Sequence, residues 1–162
     1  DYSAGTIYYA GKKLSPDSWQ QVYQDCAYVM QNEGLFRASV LDNISLFAEH
    51  INYGLLHEIF YLLDLNELIN ELPQGMHTVL GDMGYHLSQG QIQRIFLARA
   101  LYRKPKWLIL DEATCHLDEH SEQILMQRLS SLSMSMIVTN HRSGFETLFH
   151  EVLTWEQCLK SQ

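Results

Sequence analysis

Hydrophobic positions along this chain alternate between short continuous runs and stripes at helical spacing. Thr6-Ile7-Tyr8-Tyr9-Ala10 is a β-branched and aromatic run, followed by a turn at Gly11-Lys12. Ser15-Pro16-Asp17 has the form of a helix start, with Ser15 as N-cap and Pro16 at the first helical position. Cys26-Ala27-Tyr28-Val29-Met30 predicts a short strand ending at Gln31. From Val40 to Leu72 the pattern is helical and rich in Leu and Ile, closed by Pro73 and Gly75. Glycines 75, 81, 84 and 90 then mark a loop-rich stretch. Beyond it Ile95, Ala98, Leu101 and Tyr102 recur at helical spacing until Pro105. Trp107-Leu108-Ile109-Leu110 is a continuous apolar run, as expected of a parallel strand buried on both faces. Asp118 to Leu132 predicts a helix, and Met136 to Thr139 a further buried strand. That order predicts a β-α-β unit with parallel neighbouring strands.

Bulk properties narrow the class. A chain of 162 residues fits one domain, and 46% hydrophobic with 19% charged residues is globular composition rather than disorder. The net charge of −8 argues against a broad nucleic-acid surface, which draws affinity from many Lys and Arg contacts to phosphates. Cys26, Cys115 and Cys158 are scattered and form no CxxC pair, so reduced thiols in a cytosolic setting are expected. No apolar run approaches the ~20 residues that span a bilayer, and Asp1-Tyr2-Ser3 does not open a signal peptide. The first residue is not Met and stands just before a strand, which suggests a fragment.

The candidate chemistry lies at strand ends, because open parallel sheets bind ligands beyond the carboxyl ends of their strands. The strand 107–110 runs into Asp111-Glu112, the strand 136–139 into Asn140-His141, and the strand 26–30 into Gln31. Polar residues at any one strand end are commonplace. Two carboxylates, an imidazole and an amide on one edge suit a magnesium–phosphate site. One carboxylate can orient the ion through water, since Mg²⁺ keeps part of its hydration shell. The second can polarise an attacking water, and the imidazole can donate to a phosphate oxygen. Leu87-Ser88-Gln89-Gly90-Gln91 opens the helix that carries Arg94. A hydroxyl, a glycine that lets the backbone come close, and the free N–H groups of a helix start make an anion site. An ordinary cap explains Ser88 but not the spacing from this loop to the acidic strand.

At this loop the sequence resembles the ABC ATPase superfamily, whose signature is Leu-Ser-Gly-Gly-Gln at a helix N-terminus. The resemblance implies an α/β P-loop NTPase fold, a RecA-like parallel sheet with an inserted helical subdomain, here lacking its N-terminal strands and phosphate loop. Residues 1–31 would end the N-terminal β region, 32–91 would form the helical subdomain up to the signature loop, and 92–162 the RecA-like remainder. It further implies roles for single residues. Gln31 would meet the magnesium and the attacking water. Asp111 would be the magnesium-side acid, Glu112 the catalytic base, and His141 the switch histidine on the γ-phosphate. Ser88, Gly90 and Gln91 would serve the ATP held by a second ABC ATPase domain, arranged head to tail, and Asp118, in the loop that follows the acidic strand, would, like Gln31, be a nucleotide-binding residue. ATP and Mg²⁺ are the cofactors so implied.

Within the superfamily the chain is most similar to peptidase-containing exporters of the bacteriocin or colicin V type and their toxin-secreting relatives. Val29 to Phe36, Asp42-Asn43-Ile44, Leu80 to Gly84 and Ala98 to Pro105 carry that likeness. It implies a transmembrane domain facing the loops after Gln31 and around Gly81 to Gly84, a peptide or protein cargo, no nucleic-acid partner, and a place at the cytoplasmic face of a bacterial inner membrane. Some positions depart from the pattern: Gln89 replaces the first signature glycine, Cys115 the usual Ser or Ala, and Asn140 precedes the histidine. No Gly-x-x-x-x-Gly-Lys-Ser/Thr loop occurs in the 162 residues, so the chain alone is expected to bind ATP poorly. His116 and His120 at i, i+4 lack a third metal ligand nearby in the sequence. Two other functions are open: a non-catalytic remnant that only interacts, and a DNA-repair-type ABC ATPase. Against the latter, the segment from Gln31 to Leu87 is short and loop-broken where those proteins insert long coiled coils.

Overall fold

A computed structural model describes residues 5–15, 18–30, 33–81, 84–139 and 146–153. The first element is a hairpin, β1 (Tyr8–Tyr9) against β2 (Lys12–Lys13). Its two-residue turn, Ala10-Gly11, has both residues at positive φ, the geometry that matches the twist of paired strands. Helix α1 (Trp19–Asp25) begins three residues later than Ser15 would place it, and Pro16 and Asp17 of the expected start lie outside the described residues. The Ser15 carbonyl accepts from both the Ser18 hydroxyl at 2.8 Å and the Ser18 N–H at 2.9 Å.

Strand β3 (Cys26–Met30) follows directly. The helical stretch from 40 to 72 divides into α2 (Val40–Ser45), α3 (Tyr53–Leu62) and α4 (Asn66–Glu71). Its breaks fall at Leu46, Phe47 and Asp64, all at positive φ. Then come α5 (Gln89–Tyr102), β4 (Trp107–Asp111), α6 (Glu119–Ser130) and β5 (Ser135–Thr139). β3, β4 and β5 form one parallel sheet with β4 in the centre. The β4–α6–β5 unit is the predicted crossover.

The core lies between one face of this sheet and the helices. Ala27, Val29, Leu108 and Leu110 from the sheet are buried with Ile44, Phe60, Ile95, Leu97, Met126 and Leu129. Helix α5 packs on β3, α2 and α3. Its inward side chains are apolar except Gln93. The opposite sheet face departs from the expectation of strands buried on both sides. Tyr28, Met30 and Ile137 are 45%, 48% and 49% exposed, and Trp107 stands on the same face. The buried side chains of α2, α3, α5 and α6 join the core on the other face, so the apolar run that spells a buried strand is half open among the described residues.

The loop after β3 is fastened to α2 and α5 by two side chains. Asn43 has no exposed surface, and its amide bonds Phe36 N–H, Phe36 C=O, Ala38 C=O and Ser39 C=O. Arg99 donates to the Asn43 carbonyl and side chain and lies 3.3 Å from the Glu33 carboxylate. Its guanidinium also stacks over Phe36 and Phe96.

Candidate functional site

The register aligns the strand ends. Met30 pairs with Asp111, and Asp111 with Thr139, so three parallel strands finish side by side. Beyond them the chain enters residues 31, 112 and 140. Glu112 is described; Gln31, Asn140 and His141 lie outside the described residues. The acidic pair is therefore at the centre of the rim, as the sheet order requires of a β4 residue.

Asp111 projects on the open face of the sheet, since it alternates with the buried Leu110. Its Oδ1 accepts from the Thr139 hydroxyl at 2.6 Å and its Oδ2 from the Tyr28 hydroxyl at 2.9 Å. The Thr139 bond first, and the Tyr28 bond second, hold this carboxyl below the usual carboxylate range. An ionised carboxylate with free lone pairs fits the hydrated shell of a magnesium ion. Among the described residues no group of three His, Cys, Asp or Glu side chains gathers. Glu112 turns the chain out of the sheet at φ +51°, and its N–H donates to the Thr139 carbonyl at 3.2 Å. A left-handed non-glycine residue costs of order 1–3 kcal/mol, and such strain concentrates at functional positions.

Ser88 caps α5, and the cap is reciprocal. Its hydroxyl accepts from Gln91 N–H at 3.2 Å while its own N–H donates to Gln91 Oε1 at 2.9 Å. The hydroxyl keeps its hydrogen to donate. Gly90 faces the loop after β4, where an added Cβ would stand 3.2 Å from Leu117 Cδ2 and 3.6 Å from the His116 carbonyl. The glycine thus permits a close approach of helix start and loop. Asp118 caps α6 by accepting from Ser121 N–H at 3.0 Å, and the Ser121 bonds hold its carboxyl below the usual range. Ser88, Gly90, Gln91 and Asp118 line one groove of about 570 Å³, shared with Asp64, Glu67 and Arg94. This groove brings the signature-like loop and the loop after the acidic strand together.

Three residues that tie these parts were not singled out by sequence reasoning. Gln93 is a polar residue on the buried face of α5. Its Nε2 stands 2.9 Å from His116 Nδ1, and its Oε1 accepts from His116 N–H at 3.2 Å. A lone amide in an apolar helical stripe was the available signal. Tyr28 and Thr139 left none, because in isolated strands they read as ordinary sheet residues.

The ABC transporter family model matches residues 1–115. Colicin V secretion/processing ATP-binding protein CvaB of Escherichia coli is 40% identical over 116 residues, 72% of this chain and 17% of that protein. Alpha-hemolysin translocation ATP-binding protein HlyB of Escherichia coli O157:H7 is 36% identical, covering 85% of this chain and 20% of its own length. Heterocyst differentiation ATP-binding protein HepA of Nostoc is 35% identical, covering 97% and 26%. The chain thus spans about a quarter or less of these relatives. A bacterial Atm1-family ABC exporter solved with ATP bound superposes with a TM-score of 0.79 at 28% identity, covering 88% of this chain and 25% of that one.

Proposed function

This chain belongs to the ABC transporter family of ATP-binding domains, and on that premise we propose that it serves as part of the ATP-hydrolysing motor of an exporter for a peptide or protein toxin. The observation that carries the reading is the shared end of β3, β4 and β5, with Asp111-Glu112 at its centre. In this reading Glu112 accepts the proton of the water that attacks the γ-phosphate, and Asp111 orients the hydrated cation. Gln31 and His141 act on the same rim from the ends of the flanking strands. Magnesium, when bound, neutralises charge on the phosphate oxygens.

Ser88, Gly90, Gln91 and Asp118 serve the ATP of a second copy. The Ser88 hydroxyl hydrogen and the exposed N–H groups at the start of α5 favour an anion arriving from outside the subunit. A transmembrane domain would meet the loop after β3, where Phe36 and Phe47 are exposed and in edge contact at 5.8 Å. Among the described residues no helix is long and apolar enough to cross a membrane, so that domain would be supplied from elsewhere in the transporter. The names of the secretion proteins above support a toxin cargo, and with that cargo the reading puts the chain at the cytoplasmic face of a bacterial inner membrane. The DNA-repair alternative is not favoured, because α2, α3 and α4 are only 6, 10 and 6 residues long.

The chain of 162 residues alone should bind magnesium-ATP weakly and turn none over, since no phosphate-loop motif occurs within it. In the full transporter, Glu112→Gln should abolish hydrolysis while ATP-dependent dimerisation persists, read by phosphate release and by size-exclusion chromatography. Near-normal turnover by that variant would remove Glu112 from the base role.

A further inference from the structure

The Asp111 carboxylate is held from both neighbouring strands. Thr139 stands directly opposite it on β5, and Tyr28 is its diagonal neighbour on β3, two residues before the paired Met30. A threonine hydroxyl spans the direct pair, and a tyrosine ring spans the longer diagonal. One hydroxyl donates to each carboxylate oxygen, at 2.6 Å from Thr139 and 2.9 Å from Tyr28. A carboxylate offers about four lone-pair sites. Among the described residues two are therefore filled, one is left on each oxygen, and the plane of the group is fixed.

Burial does not force the Tyr28 bond. The residue is half exposed, so its phenol could satisfy itself with water. A phenylalanine would also cover the apolar sheet face, and only the hydroxyl oxygen reaches Asp111. We propose that Tyr28, with Thr139, is a positioning residue that presents the Asp111 carboxylate in a single orientation to the water shell of a divalent cation bound with nucleotide. This rests on the reading in which Asp111 serves the metal side of an ATP site. Both hydroxyls act through Asp111 and touch neither nucleotide nor metal.

The test uses the full-length transporter with Tyr28→Phe, Thr139→Val and Thr139→Ser. Tyr9→Phe is the control, since that hydroxyl bonds Asp25 instead. Manganese affinity of the protein–ATP complex is read by electron paramagnetic resonance, and ATP affinity is measured separately without divalent cation. Tyr28→Phe and Thr139→Val should each weaken manganese binding by about 3- to 10-fold, since the lost bond is present with and without metal and only part of its worth is felt in metal binding. Metal-free ATP affinity should not change, and Thr139→Ser and Tyr9→Phe should behave as wild type. A purely structural role would lower ATP affinity equally with and without metal, and that result overturns the proposal. Unchanged manganese affinity in both variants overturns it as well. A wild type that binds no metal–nucleotide complex defeats the ATP-site reading and this proposal with it, whereas a normal wild type with unaltered variants defeats this proposal alone.

Discussion

Asn43→Ala removes a fully buried amide that joins the loop after β3 to α2 and α5. Its cost follows from what each partner has left. The Phe36 carbonyl still accepts from Ala38 N–H, the Ala38 carbonyl from Leu80 N–H, and the Ser39 carbonyl from residue 43's own N–H. The Phe36 N–H loses its acceptor, but Phe36 is 44% exposed, so water can replace part of the bond and the cost is about 1 kcal/mol. Arg99 loses its bond to Oδ1 but keeps the residue 43 carbonyl, so part of a charge-assisted bond worth about 1.5–3 kcal/mol is retained. The sum is about 2 kcal/mol, a substantial share of the roughly 5–15 kcal/mol that stabilises a typical domain. Urea unfolding followed by tryptophan fluorescence measures it. The midpoint should fall with the slope unchanged, and amide exchange at 33–39 should quicken more than in β4. A loss below about 1 kcal/mol, or uniform exchange, would show that the amide does not organise this loop.

Stability should depend on acid in a defined sense. Asp25, held down first by Lys106, Asp111, held down first by Thr139, and Asp118, held down by Ser121, all titrate lower when folded than when unfolded. Their stabilisation is present above the unfolded carboxylate range and is lost as pH falls through the folded values. Urea midpoints should hold from pH 7 to about 5 and decline below about 4; a steady decline starting at neutral pH would point to other groups. Gly84→Ala should destabilise by about 1–3 kcal/mol, because a Cβ there overlaps the Val79 carbonyl that also accepts from Tyr85 N–H. A thermal melt no lower than wild type would show that the backbone at Val79 yields freely.

Much of the sheet was legible in the chain because apolar runs bounded by polar residues mark strands well. Residues 26–30 match the predicted strand, and β4 and β5 each differ by one residue at an end. The parallel β4–β5 pairing and the α/β class were legible for the same reason. The helical stretch was not divisible by sequence, since its breaks use Leu46, Phe47 and Asp64 in left-handed conformations that glycine or asparagine normally signals. The expected helix start rests on Pro16 and Asp17, which lie outside the described residues, and the described helix begins at Trp19.

Around the site, the residue types at strand ends were readable, but their support was not. The hold of Tyr28 and Thr139 on Asp111 exists only once three strands are in register. The clamp of Gln93 on His116 joins residues 23 apart in sequence. Gly90 was expected to admit a ligand, and its observed neighbours are Leu117 and the His116 carbonyl of the same chain.

The central claim is a composite site, with the acidic rim of one copy facing the Ser88 turn of another. Mixing Ser88→Arg and Glu112→Gln copies of the full transporter tests it most directly by steady-state hydrolysis. Each homodimer should be inactive. In a head-to-tail heterodimer both defects fall in one site, and the other site, built from an intact Glu112 and an intact Ser88, should recover hydrolysis. No recovery in a heterodimer shown to form would mean that both residues serve a site within one chain, contrary to this account.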